Sequence, residues 1–223
     1  SIQVINGGTT GAVLTIDGNA SETINGALTL PLLAGESVEL FNSGAAWVAT
    51  GLPSLALVRR QTASASAQID FVLPSGFSQF ELDFFDVVPA TDGAALGLRT
   101  STDSGASFAA GGTDYNSTAF STLPASNSMT SSNTTTSSII LGPVIDTANT
   151  AISMSGRARI YVGNGTRWAN VVAQGSNLDN GTALLSMWQS GGHRANTTQI
   201  NAIRLLLSTG NITNGTFSLY AVR

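Results

Sequence analysis

The chain has no cysteine, no lysine and a single histidine, His193. Without cysteine, disulfides and thiolate metal sites are excluded, and one imidazole is too few for a zinc site of the usual kind. Charged residues make up 10% of the sequence, against roughly 25% in ordinary globular chains. All nine basic residues are arginines and the net charge is −4. Arg59/Arg60 and Arg157/Arg159 are pairs rather than a basic stripe, so nucleic acid is not expected as a partner. No apolar run approaches the ~20 residues that span a bilayer, and no membrane insertion is expected. The opening SIQVINGG has neither a charged n-region nor an apolar h-region, so no signal peptide is expected in it.

What is present is apolar and small. Hydrophobic residues reach 42% over 223 positions, the reverse of the pattern that keeps a chain disordered and enough to bury a sizeable core. Stability must come from packing, backbone ladders or subunit contacts.

Period-two alternation dominates. Residues 12–16, 27–32 and 36–41 each alternate, with Leu28, Leu30 and Leu32 on one strand face and Val38 and Leu40 on one face of the next. Asp17-Gly18 and Asn25-Gly26 are expected as tight hairpin turns, because Asn and Asp tolerate positive φ and Gly takes it freely. Pro31 cannot donate to a ladder and predicts an edge strand. Residues 1–52 therefore read as a small β module.

Residues 53–66 end in an Ala/Ser run without a core-forming period. They are expected as a linker, with a short helix allowed over 54–60. From residue 67 to 223, short apolar strands follow at turn-punctuated spacing. Phe80, Leu82 and Phe84 share a face, with Phe85 and Val87 expected on the other. Ala158, Ile160 and Val162 alternate with Arg157, Arg159 and Tyr161, which gives a solvent face of two arginines and a tyrosine. Residues 109–138, rich in Ser, Thr, Asn and Gly, are expected as surface loop apart from a strand at 115–120. The expected fold is all-β: the small N-terminal module followed by a jelly-roll-like antiparallel β-sandwich.

Chemistry-bearing motifs are sparse. His193 sits in SGGHRAN, expected as a loop, and no G-x-S-x-G elbow accompanies it. Glu81/Asp83 and Asp83/Asp86 are the only tight acidic groupings on a strand, and Glu81 and Asp83 share a face. A glycosidase would need two such carboxylates to converge. STDSGASF, residues 101–108, resembles the Asp-box hairpin of sialidases and reads as a turn at Asp103-Ser104-Gly105. No cofactor is expected; Asp103, Asp114 and Asp179 are the loop carboxylates a structural Ca²⁺ could use. Eight N-x-[ST] sequons, from Asn19 to Asn214, follow from composition. Exposed aromatics beside amides and arginines suit sugar stacking, and the candidate ligand-binding residues are Trp168, Trp188, His193, Arg194 and Tyr115.

Two stretches carry a family resemblance. LTIDGNASETINGALTLPLLAGESVELFNSGAAWVA, residues 14–49, resembles a short β module that recurs in bacteriophage tail fibres, with its SETI-x-G turn, its AGES turn and Trp47 after a Gly-containing loop. GRARIY and INAIRLLLSTGNITNGTFSLYAVR, within residues 156–223, resemble the C-terminal β domain that ends several phage structural proteins, and STGNITNGTFSLYAVR matches closely. The resemblance implies a non-enzymatic virion protein on the particle surface: a fibre, spike or tip contacting the host. It also implies a homotrimer, with other virion proteins and a host-surface glycan or protein as partners. The alternatives are a capsid decoration or head fibre without receptor role, and a carbohydrate-binding module of a secreted bacterial protein.

Overall fold

The computed structural model describes residues 1–9, 12–18, 21–44, 46–123, 128–145, 153–178 and 185–223. It is all-β, as expected, with no helix among the described residues. The N-terminal module holds β1 (Ile2–Ile5), β2 (Val13–Asp17), β3 (Thr29–Leu33), β4 (Ser37–Asn42) and β5 (Trp47–Thr50). The sandwich holds β6 (Leu55–Ser66), β7 (Ile69–Val72), β8 (Gln79–Pro89), β9 (Ala94–Ser101), β10 (Tyr115–Leu123), β11 (Ser128–Thr136), β12 (Ile139–Ile145), β13 (Met154–Tyr161), β14 (Asn170–Leu178), β15 (Leu185–Arg194), β16 (Ala202–Leu207) and β17 (Ile212–Val222).

In the module β1-β4-β5 make one sheet and β2-β3 a second. Asn25 and Gly26 both take left-handed φ, 53° and 84°, and Ile24 and Ala27 exchange backbone hydrogen bonds across them. That is the two-residue turn expected of Asn-Gly. Asp17-Gly18 is not a tight turn: Asp17 pairs with Thr29, so the β2–β3 connection runs from residue 18 to 28. The apolar cluster is small: Ile24, Leu32, Val38 and Leu40, with half-buried Leu30 and Trp47 packed on it. Leu28 of the expected leucine stripe stays exposed, because the cluster is too small to cover it. Pro31 lies in the two-stranded sheet, where no central ladder needs its missing N–H.

Arg223, the last residue, joins module to sandwich. It donates to the Pro31 carbonyl at 2.7 Å, pairs with Glu36 and lies over the Phe77 ring. Glu36 in turn accepts from Leu33 N at 2.7 Å, and the Leu33 side chain belongs to the sandwich core.

The sandwich is a jelly roll with an extension. Strands β6-β17-β8-β13 form one four-stranded layer and β7-β16-β9-β12 the other. In chain order, six of the seven steps between these eight strands cross from one layer to the other and only β9 to β12 stays within its layer, as in a jelly roll. Two hairpins are inserted: β10–β11 between β9 and β12, and β14–β15 between β13 and β16. Both add to the first layer, giving the order β11-β10-β15-β14-β13-β8-β17-β6. One contiguous core fills the interior, with Phe71, Phe80, Phe84 and Phe217 among its largest fully buried side chains.

The inserted strands are anchored from behind by serines. Ser190 Oγ donates to Leu141 O at 2.8 Å, and Ile140 N donates to Ser117 Oγ at 2.9 Å. These bonds satisfy β12 backbone groups that its bulged pairing with β9 leaves over. Trp188 stacks on Phe84, ring centroids 6.1 Å apart. A Cβ at Gly175 would come within 2.4 Å of the Trp188 ring, so the indole fits only because position 175 has no side chain.

Three sequence expectations are corrected here. Residues 53–66 are not a linker and hold no helix. Leu55–Ser66 is the edge strand β6, paired with β17 over its length and burying Ala56, Val58 and Ala63. Ala and Ser have weak strand preference, and the ladder to β17 supplies what propensity does not. Residues 109–138 contain the β10–β11 hairpin, paired from Tyr115↔Thr136 to Leu123↔Ser128. Phe85 and Val87 do not share a face. A bulge with Asp86 at φ 55° separates them, leaving Phe85 68% exposed and Val87 fully buried.

The 101–108 turn forms as expected, though not as a hairpin, since the next strand lies in the other layer. Asp103 Oδ1 accepts from Ser107 N at 2.9 Å and from Ser101 Oγ at 2.5 Å, and Gly105 has φ 91°. Phe108 lies under the Arg204 guanidinium at 4.1 Å.

Candidate functional site

The outward face of β8, β13, β14, β15 and β10 is open, and register aligns its side chains in rows. One row runs Tyr161, Asn170, His193, Asn116 across β13 to β10. The next runs Glu81, Arg159, Val172, Gly191, Thr118. The third runs Asp83, Arg157, Gln174, Gln189, Phe120. Gly191 removes a side chain from the middle row, and exposed Val172 floors it. Three adjoining depressions follow: about 750 Å³ at Gln174, Gln189 and Met187, about 840 Å³ over Gly191 and about 320 Å³ between Arg159, Tyr161 and Val172. They share Phe120, Gln189, Val172 and Gln174, so they form one shallow trough running across the strands.

One side of the trough carries a stacked pair. The β13–β14 connection turns at Gly163 and Gly165, φ 74° and 85°, and Asn164 Oδ1 accepts from Thr166 N and Arg167 N at 3.1 and 2.8 Å. This asparagine-centred turn presents Trp168, half exposed. Its ring lies parallel to His193, centroids 4.3 Å apart. Asn116 Nδ2 is 3.0 Å from His193 Nε2; with the amide donating, the imidazole carries its proton on Nδ1.

The end at β8 and β13 is charged but balanced. Arg157 Nε lies 2.6 Å from Glu81 and 2.8 Å from Asp83. Its single N–H goes to Asp83, leaving Glu81 Oε1 buried without a hydrogen bond. Arg159 reaches the other Glu81 oxygen at 3.9 Å. The Asp83 hydrogen bond is the main cause that raises the Arg157 pKa, so this guanidinium stays charged. Two cations face two carboxylates.

The five candidate residues divide. Trp168 and His193 meet at the trough, and His193 lies on β15 rather than in a loop. Trp188 is corrected: it faces inward and packs on Phe84, because even positions of β15 (Ser186, Trp188, Ser190) point to the core. Tyr115 is corrected likewise. It is fully buried, and its hydroxyl accepts from Thr100 N at 2.8 Å and donates to Ala109 O at 3.1 Å. Arg194 has the parity of the inward positions, opposite to His193, and its Nη1 is buried with no hydrogen-bond partner. Asp114 caps its own turn, accepting from Gly111 N at 2.6 Å, and Asp179 lies outside the described residues. No group of three metal-ligating side chains occurs among the described residues.

No family model, no curated protein and no solved structure matches the chain. The site therefore rests on its own geometry. Sequence reading missed Asn116, Gln174, Gln189, Val172 and Gly191. The one local signal was the outward set Arg157, Arg159 and Tyr161; the others become neighbours only through strand order.

Proposed function

We propose that the chain is a structural protein of a bacteriophage virion, a fibre, spike or tip component that contacts a host-surface glycan through the trough. The observation that carries the reading is the trough itself. The strands inserted into the jelly roll expose a continuous row system of amides, paired arginines and rings instead of a sealed polar surface. Planar amides and fixed guanidinium groups hydrogen-bond hydroxyls, and exposed rings stack on sugar faces. The phage-fibre resemblance of residues 14–49 and 208–223 supports the particle context. Both Glu81 and Asp83 are engaged by Arg157, which favours binding over acid–base catalysis at this face.

The test is adsorption of the virion to its host with the purified protein as competitor. Competition that is lost in the Trp168→Ala/Gln189→Ala variant supports the contact role. Absence of competition by the folded protein overturns it and leaves a capsid decoration or head fibre. The trough equally fits the carbohydrate-binding module of a secreted bacterial protein, and native mass separates the two. A mass near three times 22.8 kDa is the homotrimer expected of a fibre; a monomer favours the module.

A further inference from the structure

We infer that the trough is built for an extended, neutral oligosaccharide lying across the strands. This rests on the glycan-contact reading above and specifies its ligand.

Direction comes from the rows. The trough follows Arg159, Val172, Gly191 and Thr118 from strand to strand, and it is walled on both sides by amides: Asn170 and Asn116 on one, Gln174 and Gln189 on the other. A chain lying along a single strand would leave the trough after one floor position; a chain lying across stays over the floor row and passes flanking pairs Tyr161/Arg157, Asn170/Gln174, His193/Gln189 and Asn116/Phe120. Length comes from the sheet. Strands lie about 4.8 Å apart, close to the length of one hexopyranose unit, so the four strands β13, β14, β15 and β10 offer room for about four units. The floor is Val172 and the backbone at Gly191. This low apolar ledge matches the C–H face of a pyranose, while the walls reach its equatorial hydroxyls.

Charge decides the class. Arg157 and Arg159, the arginines that line the trough among the described residues, are balanced by Glu81 and Asp83, so neither stands as a free cation to attract a sugar acid. Glu81 and Asp83 hold their negative charge beside Arg157 at the β8–β13 end, where a sugar carboxylate or phosphate would meet a like charge and a neutral hydroxyl would not.

The experiment is titration calorimetry of the whole chain with cello-, malto- and chito-oligosaccharides of one to six units, and with oligogalacturonides of the same lengths. At least one neutral series is expected to bind, with affinity rising to about four units and then levelling. The acidic series is expected to bind at least tenfold more weakly. Gln174→Ala and Gln189→Ala, both at exposed positions, are each expected to weaken binding about tenfold with the melting temperature unchanged. Preferred binding of the acidic series, affinity independent of length, or affinity unchanged from the parent chain in both variants overturns the inference. So does absence of binding by every neutral series at millimolar concentration. Adsorption competition that persists in that last case keeps the host-contact reading and removes only its ligand.

Discussion

The N-terminal module and the sandwich are both antiparallel β-structure punctuated by the same turn residues, yet they are held together differently. The sandwich closes two layers over one contiguous core. Among the described residues the module's own cluster has four buried apolar side chains, drawn from two small sheets and the turn at Ile24. Isolated sheets of two or three strands are marginal in water. The module therefore depends on its attachment: Leu33 inserted in the sandwich core, and Arg223 tied to Pro31 and Glu36. Apolar alternation is enough to form strands, but stability follows from how much apolar surface a second layer can cover.

The largest test of this contrast lies under the trough. Trp188→Ala removes a buried indole stacked on Phe84 and should cost about 3–5 kcal/mol, read by denaturant unfolding as loss of the main transition. Leu32→Ala, at the centre of the module cluster, should cost about 2–3 kcal/mol. Its loss should show in the module alone, as hydrogen exchange speeding up in residues 1–50 with the sandwich amides unchanged. Equal loss of protection in both regions would show one cooperative unit and break the comparison. Arg223→Ala leaves Glu36 without its cation in a largely buried site and should cost about 1–3 kcal/mol. It should split a single unfolding transition into two.

Asp103 sharpens the comparison through pH. Hydrogen bonds from Ser101 and Ser107 hold its carboxyl well below the usual carboxylate range. A depressed folded pKa means the contribution is complete above the unfolded value, about 4, and fades as pH falls towards the folded one. Acid titration of thermal stability should therefore show a loss below about pH 4 in the sandwich, shallower in Asp103→Asn, with the module's own acid response unaltered. The smallest effect is expected at the trough surface. Gln189→Ala should change stability by no more than about 0.5 kcal/mol; a larger loss would mean the wall residues serve the fold rather than a ligand.

How much of this was readable in advance varied by residue. Asn25-Gly26 and the Asp103 turn were legible, because each depends on backbone preferences within a few positions. The inward set Ala158, Ile160 and Val162 was legible from alternation. β6 and the β10–β11 hairpin were not: Ser, Thr and Ala carry little strand preference, and their pairing partners lie far along the chain. Trp188 and Tyr115 were assigned to the surface because an aromatic in an alternating strand is consistent with either face until the neighbours are known.

The sequence by itself determined an all-β chain, rich in tight turns, without disulfides, thiolate metal sites or a basic stripe, since composition and period-two alternation are local properties. Only the tertiary structure decided that two inserted hairpins widen one layer of a jelly roll, and that Trp168, His193, Asn116, Gln174 and Gln189 share one trough. Register between distant strands sets which side chains meet, and a shift of one residue would turn each of them to the other face.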